Sequence, residues 1–376
     1  MQSVDVTIIG AGIAGASLAA ELADKLNVVL VEREDQPGYH ATGRSAAVYS
    51  EAYGNETIGA LTSASRDFFS NPSAEFSETS LWRKLGVLFI GRHGQEAKVK
   101  EHIASASKYA RKISEISAGE IQQMVPIIKN DAGSSGGFEP DAMELDVDAI
   151  HSGFLRQMKR RGGKLVKNAE VTGLVRGNDG WAVDTAAGSW KTNIVVNAAG
   201  AWVDKIAEIA GVKQIRIKPL RRTVITFSPE GAKGSEDWPM VVDVDGEFYF
   251  KPEAGNILAS PADETVSAPC DAQPEELDVA IAVDRIQRAT TLGVRKIDKK
   301  WAGLRTFAPD RTPIVGFDED LSNFFWLAGQ GGYGIKTSPA IARLATSLIL
   351  GGDLPEDIKA RGVATEALSP VRFKHH

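Results

Sequence analysis

A single cysteine, Cys270, stands among 376 residues, so no intrachain disulfide can form and no thiolate cluster can hold a metal. That scarcity suits a reducing compartment, and the cytoplasm is the expected location. Long apolar runs are missing too: none approaches the roughly 20 residues that cross a bilayer as a helix. Peripheral association with a membrane stays open. The opening stretch MQSVDVTIIGAGIAG has no basic residues ahead of its apolar run, and Gly10, Gly12 and Gly15 interrupt it. It reads as a first strand rather than a secretion signal. Positive charge is not in excess: the formal net charge is −6, which argues against a nucleic-acid partner but leaves room for a local cationic pocket. Histidine is sparse. His93 and His102 lie on a polar stretch and His151 on an expected helix; only His40, in a loop beyond the first motif, is a candidate for a functional role. The terminal pair His375–His376 is given no chemistry. Neither a metal site nor a protein nucleophile is expected.

What is there is a globular composition, 43% hydrophobic and 24% charged, too apolar for a disordered chain. The length suggests two or three domains. Val4–Ile9 is a β-rich run, 14–26 a helix-forming stretch that stops near Asn27, and Val28–Val31 an uninterrupted apolar strand of the kind that sits inside a helix-covered parallel sheet. Further strands are expected at 86–90, 164–175, 181–184 and 189–197, with a hairpin turn at GNDG 177–180. Helices are expected over 95–116, from an Asp148 cap to about 161, within 274–291, and over 338–350. Residues 215–300 alternate in hydrophobicity between Pro and Gly breaks, which favours an antiparallel or mixed sheet. The expected fold class is α/β. A Rossmann-like dinucleotide domain from 1–84, 145–214 and 301–376 is interrupted by a substrate domain from 85–144 and 215–300.

GAGIAG at 10–15 fits the G-x-G-x-x-G turn. Gly10 permits the tight turn, Gly12 leaves room for a pyrophosphate, and Gly15 lets helix and strand pack closely. The helix start at Ile13 and Ala14 offers backbone N–H groups to the anion. Glu32 lies 22 residues after Gly10, at the end of the second strand, where a carboxylate accepts from ribose hydroxyls and disfavours a 2′-phosphate. The motif alone leaves FAD and NAD both open. The segment 37–49 favours FAD, because Thr42, Gly43, Arg44 and Ser45 supply donors and close backbone approaches where a flavin would continue.

GAGIAG with Glu32-Arg33, TGRSAA at 42–47, VVNAAGAW at 195–202, WAGLR at 301–305 and GQGGYGI at 329–335 together resemble the FAD-dependent D-amino-acid oxidase/dehydrogenase family, which also holds glycine and sarcosine oxidases. Within it the chain looks most like the bacterial D-arginine dehydrogenases. The resemblance implies FAD contacts at Arg33, Ala46, Val171, Ala199, Gly200, Gly303, Gly331, Gly332, Tyr333, Gly334 and Ile335. It also implies a carboxylate clamp of Arg222 and Arg305, with Tyr53 and Tyr249 over the substrate and Gly332 at the reacting end. Arginine suits that task because its planar fork gives two parallel charged hydrogen bonds. Two departures matter. Val48 stands where D-arginine dehydrogenases carry a histidine. Gly86 or Val87 stands where they carry the glutamate that receives a cationic side chain. A pocket without that carboxylate cannot pair a buried guanidinium. The expected substrate is therefore a D-amino acid with a small or apolar side chain, oxidised to an imine and then a keto acid and ammonia, with Trp82, Met240 and Val242 near the side chain. A secondary amine such as sarcosine, or a 2-hydroxy acid, would use the same clamp. A dehydrogenase is expected, with a quinone or another electron acceptor as its partner.

Overall fold

The computed structural model describes residues 1–228 and 234–373; His375 and His376 lie outside the described residues. The first strand, Gln2–Ile9, is flanked by Val28–Val31 on one side and Gly188–Asn197 on the other, both parallel to it. Ile9 is in register with Val31 and with Asn197, so the chain leaves three neighbouring strands at one sheet edge, at Gly10, Glu32 and Ala198. Crevices at such edges are where open α/β sheets take ligands. Lys164–Val166 extends the parallel set beyond Val28–Val31, Phe324–Ala328 pairs parallel with the end of Gly188–Asn197, and Val171–Gly177 and Gly180–Thr185 add the expected hairpin.

The helix Ile13–Leu22 is alanine-rich and buried on most of its surface, as a helix packed between layers must be. Its neighbours are the helices Val147–Arg160 and Gly334–Ile349. The last of these carries Pro339 inside it. A proline there cannot donate to the carbonyl four residues back, and the Ser338 hydroxyl donates to that Ile335 carbonyl instead, at 2.9 Å.

The second sheet is mixed. Its central strands Val87–Gly91 and Met240–Asp243 run parallel, and the other pairings among the described residues are antiparallel. Together the two sheets give the expected α/β class. The strand Lys299–Phe307 pairs along Lys218–Phe227, so residues 301–307 run in the second sheet rather than with the nucleotide unit. Three short strands, Val48–Tyr49, Trp82–Lys84 and Met143–Leu145, form a small sheet of their own.

Several local expectations need correction. The stretch 95–116 is a helix only over Glu96–Ala106, followed by the strand Ser114–Ser117, whose partner Ser135–Glu139 overrides helical propensity. The glycine-loop helix ends at Leu22 instead of 26, and the last long helix begins at Gly334 instead of 338. The expected strand 164–175 is two strands separated at 167–170. Asp146, not Asp148, caps the helix Val147–Arg160, accepting from the Ala149 N–H at 2.9 Å. No helix among the described residues is long and apolar enough to cross a membrane. Replacing Asp146 by alanine should cost about 1 kcal/mol of unfolding free energy in a urea titration, whereas Asp148→Ala should stay within about 0.5 kcal/mol of wild type.

Candidate active site

One cavity of about 840 Å³ runs from the glycine turn to the face of the second sheet. At the turn, a Cβ on Gly10 would stand 2.6 Å from the Ala198 carbonyl oxygen, and its φ of 101° is a conformation other residues rarely adopt. Glu32 is buried and bonded on both oxygens: Oε2 accepts from the Ala11 N–H at 2.8 Å and Oε1 from the Glu34 N–H at 3.0 Å. Each oxygen keeps a lone pair for a ribose hydroxyl. Thr42 Oγ1 takes the Ile13 N–H at 3.0 Å, which fixes the flavin-side loop against the helix start.

Of the expected cofactor residues, Gly10, Gly12, Ile13, Ala14, Glu32, Arg33, Thr42, Arg44, Ser45, Ala46, Val171, Ala199, Gly200, Gly303, Gly331, Gly332, Tyr333, Gly334 and Ile335 line this cavity. Gly15 and Gly43 do not. A Cβ on Gly15 would meet the Gly10 oxygen at 1.9 Å, and one on Gly43 the Gly38 oxygen at 2.8 Å, so both glycines serve the backbone approach that shapes the wall. Arg44 donates to the carbonyls of Ala272 and Ala302 at 2.8 and 3.0 Å and pairs with Asp271, tying the flavin-side loop to the second sheet. His40 bonds Glu34 at 2.9 Å and packs 4.7 Å from the Trp202 ring; it takes no part in the clamp.

At the other end the sheet register does the assembling. Arg222 is opposite Gly303 and Leu220 is opposite Arg305, so the two arginines are diagonal neighbours on one face. Both line the cavity with Tyr53, Tyr249, Tyr333 and Gly332. Arg305 Nη2 donates to the Tyr53 hydroxyl at 2.6 Å. Its buried Nη1 has no hydrogen-bond partner among the described residues. A Cβ on Gly332 would stand 1.4 Å from Arg305 Nη2, so this guanidinium lies on the bare backbone of 332. Burial opposes the Arg305 charge, yet the Tyr53 phenol beside it holds its pKa above the ordinary value. For Arg222, burial and then repulsion from Arg305 depress the pKa. Burial works to raise the Tyr53 pKa, but the two arginines outweigh it and hold it below the usual phenol value. Two guanidiniums in one partly desolvated pocket make a strong anion site.

The side wall is apolar: Val48, Val87, Phe89, Met240 and Val242. Of the two alternatives Gly86 and Val87, it is Val87 that lines the wall. Trp82 is not part of this wall; it packs 5.3 Å from the Tyr49 ring and 6.0 Å from Phe69.

Three groups escaped the sequence reading. Arg311 and Glu264 line the cavity beside the clamp, but each sits in an irregular loop with no local signature. Lys336 is buried, donating to the Ser50 carbonyl at 2.7 Å and to that of Tyr53, so it anchors the segment that carries Tyr53. It follows the recognised GQGGYGI stretch directly, which was the one available signal. Burial pushes its pKa down to about 7, against the pull of Glu139 and Glu51 and helped by Arg305.

The matched family model, "FAD dependent oxidoreductase" (DAO), covers residues 5–348, and the chain belongs to that family. It is an FAD-dependent oxidoreductase whose glycine cradle and Glu32 fit the cofactor. It is 24% identical to the human mitochondrial dimethylglycine dehydrogenase over 94% of this chain, but spans only 43% of that protein's length. Against monomeric sarcosine oxidase of a Bacillus species it is 24% identical, covering 97% of this chain and 96% of the relative. The crystal structure of L-proline dehydrogenase from P. horikoshii superposes with a TM-score of 0.85 at 25% identity, covering 100% and 98% of the two chains.

Two outcomes test this geometry. Gly332→Ala should displace Arg305 and raise the KM for a carboxylate substrate by roughly a hundredfold while FAD content is retained. The folded chain releases the Lys336 proton near pH 7, whereas the unfolded chain holds it into the ordinary lysine range, so this residue makes the folded state more stable as pH rises. The Tm of wild type relative to Lys336→Met should accordingly climb between pH 7 and about pH 10.

Proposed function

We propose that the chain oxidises the C–N bond of a small α-amino monocarboxylate whose side group is apolar, with a D-amino acid as the first reading. The observation that carries this is the Arg305–Arg222 pair on one sheet face, lining the same cavity as an apolar wall, with Arg305 Nη1 buried and without a hydrogen-bond partner among the described residues. The substrate carboxylate bridges the two arginines, and the Tyr53 hydroxyl, already bonded to Arg305, closes on it from one side. Fixing the carboxylate fixes the α-carbon, which is the entropic part of the catalysis. The side group lies against Val48, Val87, Phe89, Met240 and Val242, five apolar side chains that offer a cationic chain no charge partner of their own.

Bound FAD supplies the two-electron acceptor for the hydride from the α-carbon. The amine has to present a free lone pair, so its extra proton leaves first. The carboxylates beside the clamp, Asp263 and Glu264, are bonded to protein donors, and the reading assigns that proton to solvent. The imine then hydrolyses to a keto acid and ammonia. A quinone or another electron carrier is the proposed acceptor partner.

The names of the relatives favour a second reading. Dimethylglycine, sarcosine and L-proline all carry an N-alkyl group, so an N-substituted glycine would fill the same site with its substituent on nitrogen. Anaerobic mixing of the holoenzyme with D- and L-amino acids, sarcosine, proline and lactate separates these readings by which members bleach the flavin. Apolar D-amino acids should bleach it and D-arginine should not; bleaching by lactate alone would sink both amine readings. Arg305→Ala should weaken carboxylate substrates by roughly two to three orders of magnitude with flavin stoichiometry unchanged.

A further inference from the structure

Beside the clamp lies a third arginine with its own carboxylate. Glu264 Oε1 accepts from Arg311 Nη2 at 2.7 Å and Oε2 from Arg311 Nη1 at 2.9 Å, a two-pronged pair, while Arg222 Nη2 reaches Oε1 only at 3.3 Å. Arg311 also lies over the Phe307 ring at 4.0 Å, the same ring that Arg305 approaches at 5.6 Å. The loop that delivers Glu264 is pinned to the clamp strand. Asp263 accepts from the Thr223 N–H at 2.7 Å and its hydroxyl at 3.0 Å, and the Asp263 carbonyl accepts from Arg222 Nε at 2.9 Å. Ala262 and Arg311 both hold positive φ, 52° and 62°, a strained conformation for non-glycine residues that persists only where the surroundings impose it. All three arginines and both carboxylates line the same end of the cavity.

We propose that Glu264 is a built-in carboxylate that occupies Arg311 and the outer side of Arg222, and so restricts this site to substrates with one carboxylate. A substrate carrying a second carboxylate would have to displace Glu264 from Arg311 or place its own charge beside it. Like charges at such a distance repel by amounts that change affinity by tenfold or more at the effective dielectric of a partly buried site, ~20. Glu264 thus acts as a specificity-determining residue for the clamp. The inference rests on the clamp reading above.

The test is calorimetric titration of the holoenzyme with acetate and with malonate, a matched mono- and dianion. Wild type should bind acetate in preference to malonate. Glu264→Gln, which raises the net charge by one and frees Arg311, should shift the malonate-to-acetate affinity ratio toward malonate by about tenfold or more. If Arg305→Ala abolishes acetate binding but Glu264→Gln leaves the ratio unchanged, the clamp stands and this inference is overturned. If wild type binds neither anion, both fail together. Should Glu264→Gln not fold, Arg311→Met serves: it removes the compensating cation, so acetate affinity should fall several-fold, and an unchanged value overturns the proposal.

Discussion

Two positive charges held on one face of one sheet, in a cavity that excludes much of the water, are the constraint around which this molecule is organised. Left alone, Arg222 and Arg305 would repel and turn outward. The fold prevents that by supplying a phenol to one and a pinned loop to the other. Tyr53 accepts from Arg305, the Asp263 carbonyl accepts from Arg222, and the bare backbone at Gly332 leaves the room in which Arg305 lies. Each support comes from a different part of the chain, so the arginine pair is held only when the second sheet, the Tyr53 segment and the turn before the helix Gly334–Ile349 are in place.

The support for Tyr53 runs deeper than the cavity wall. Ser50 donates to Glu139 at 2.5 Å, and Glu139 also accepts from the Glu51 N–H at 2.8 Å. Glu51 in turn accepts from the Tyr49 hydroxyl at 2.7 Å and from Arg66 at 3.1 Å, while Lys336 takes the carbonyls of Ser50 and Tyr53. A buried network of this kind is stable only when its members are partnered together. It locks residues 49–53 to the small sheet, to the second sheet and to the helix Gly334–Ile349 at once. The loop after the glycine turn and Tyr53 are successive parts of one segment lining one cavity, so this network fixes both ends of that stretch of wall.

At the opposite end the logic is backbone shape rather than charge. The level ends of Gln2–Ile9, Val28–Val31 and Gly188–Asn197 present Gly10, Glu32 and Ala198 side by side, and the glycines keep side chains out of the space a pyrophosphate needs. One cavity then joins the dinucleotide cradle to the arginine pair with its apolar wall. Different residues at that wall would change what is oxidised without disturbing how the cofactor is held.

The sequence by itself determined the dinucleotide half. Strand, glycine turn, helix, strand and Glu32 are local in the chain, and their periodicity and spacing carry the physics directly. It also supplied the apolar wall residues Val48, Val87, Met240 and Val242, which the structure places in the cavity lining. Its misreadings came where a segment's state depends on a distant partner: Ser114–Ser117 is a strand because Ser135–Glu139 lies beside it, and 301–307 joins the second sheet because Lys218–Phe227 runs alongside. Only the tertiary structure could bring Glu264 and Arg311 to Arg222, or seat Lys336 beneath Tyr53. Charges far apart in sequence carry no local pattern, and their meaning arises from the distance and dielectric that folding sets between them.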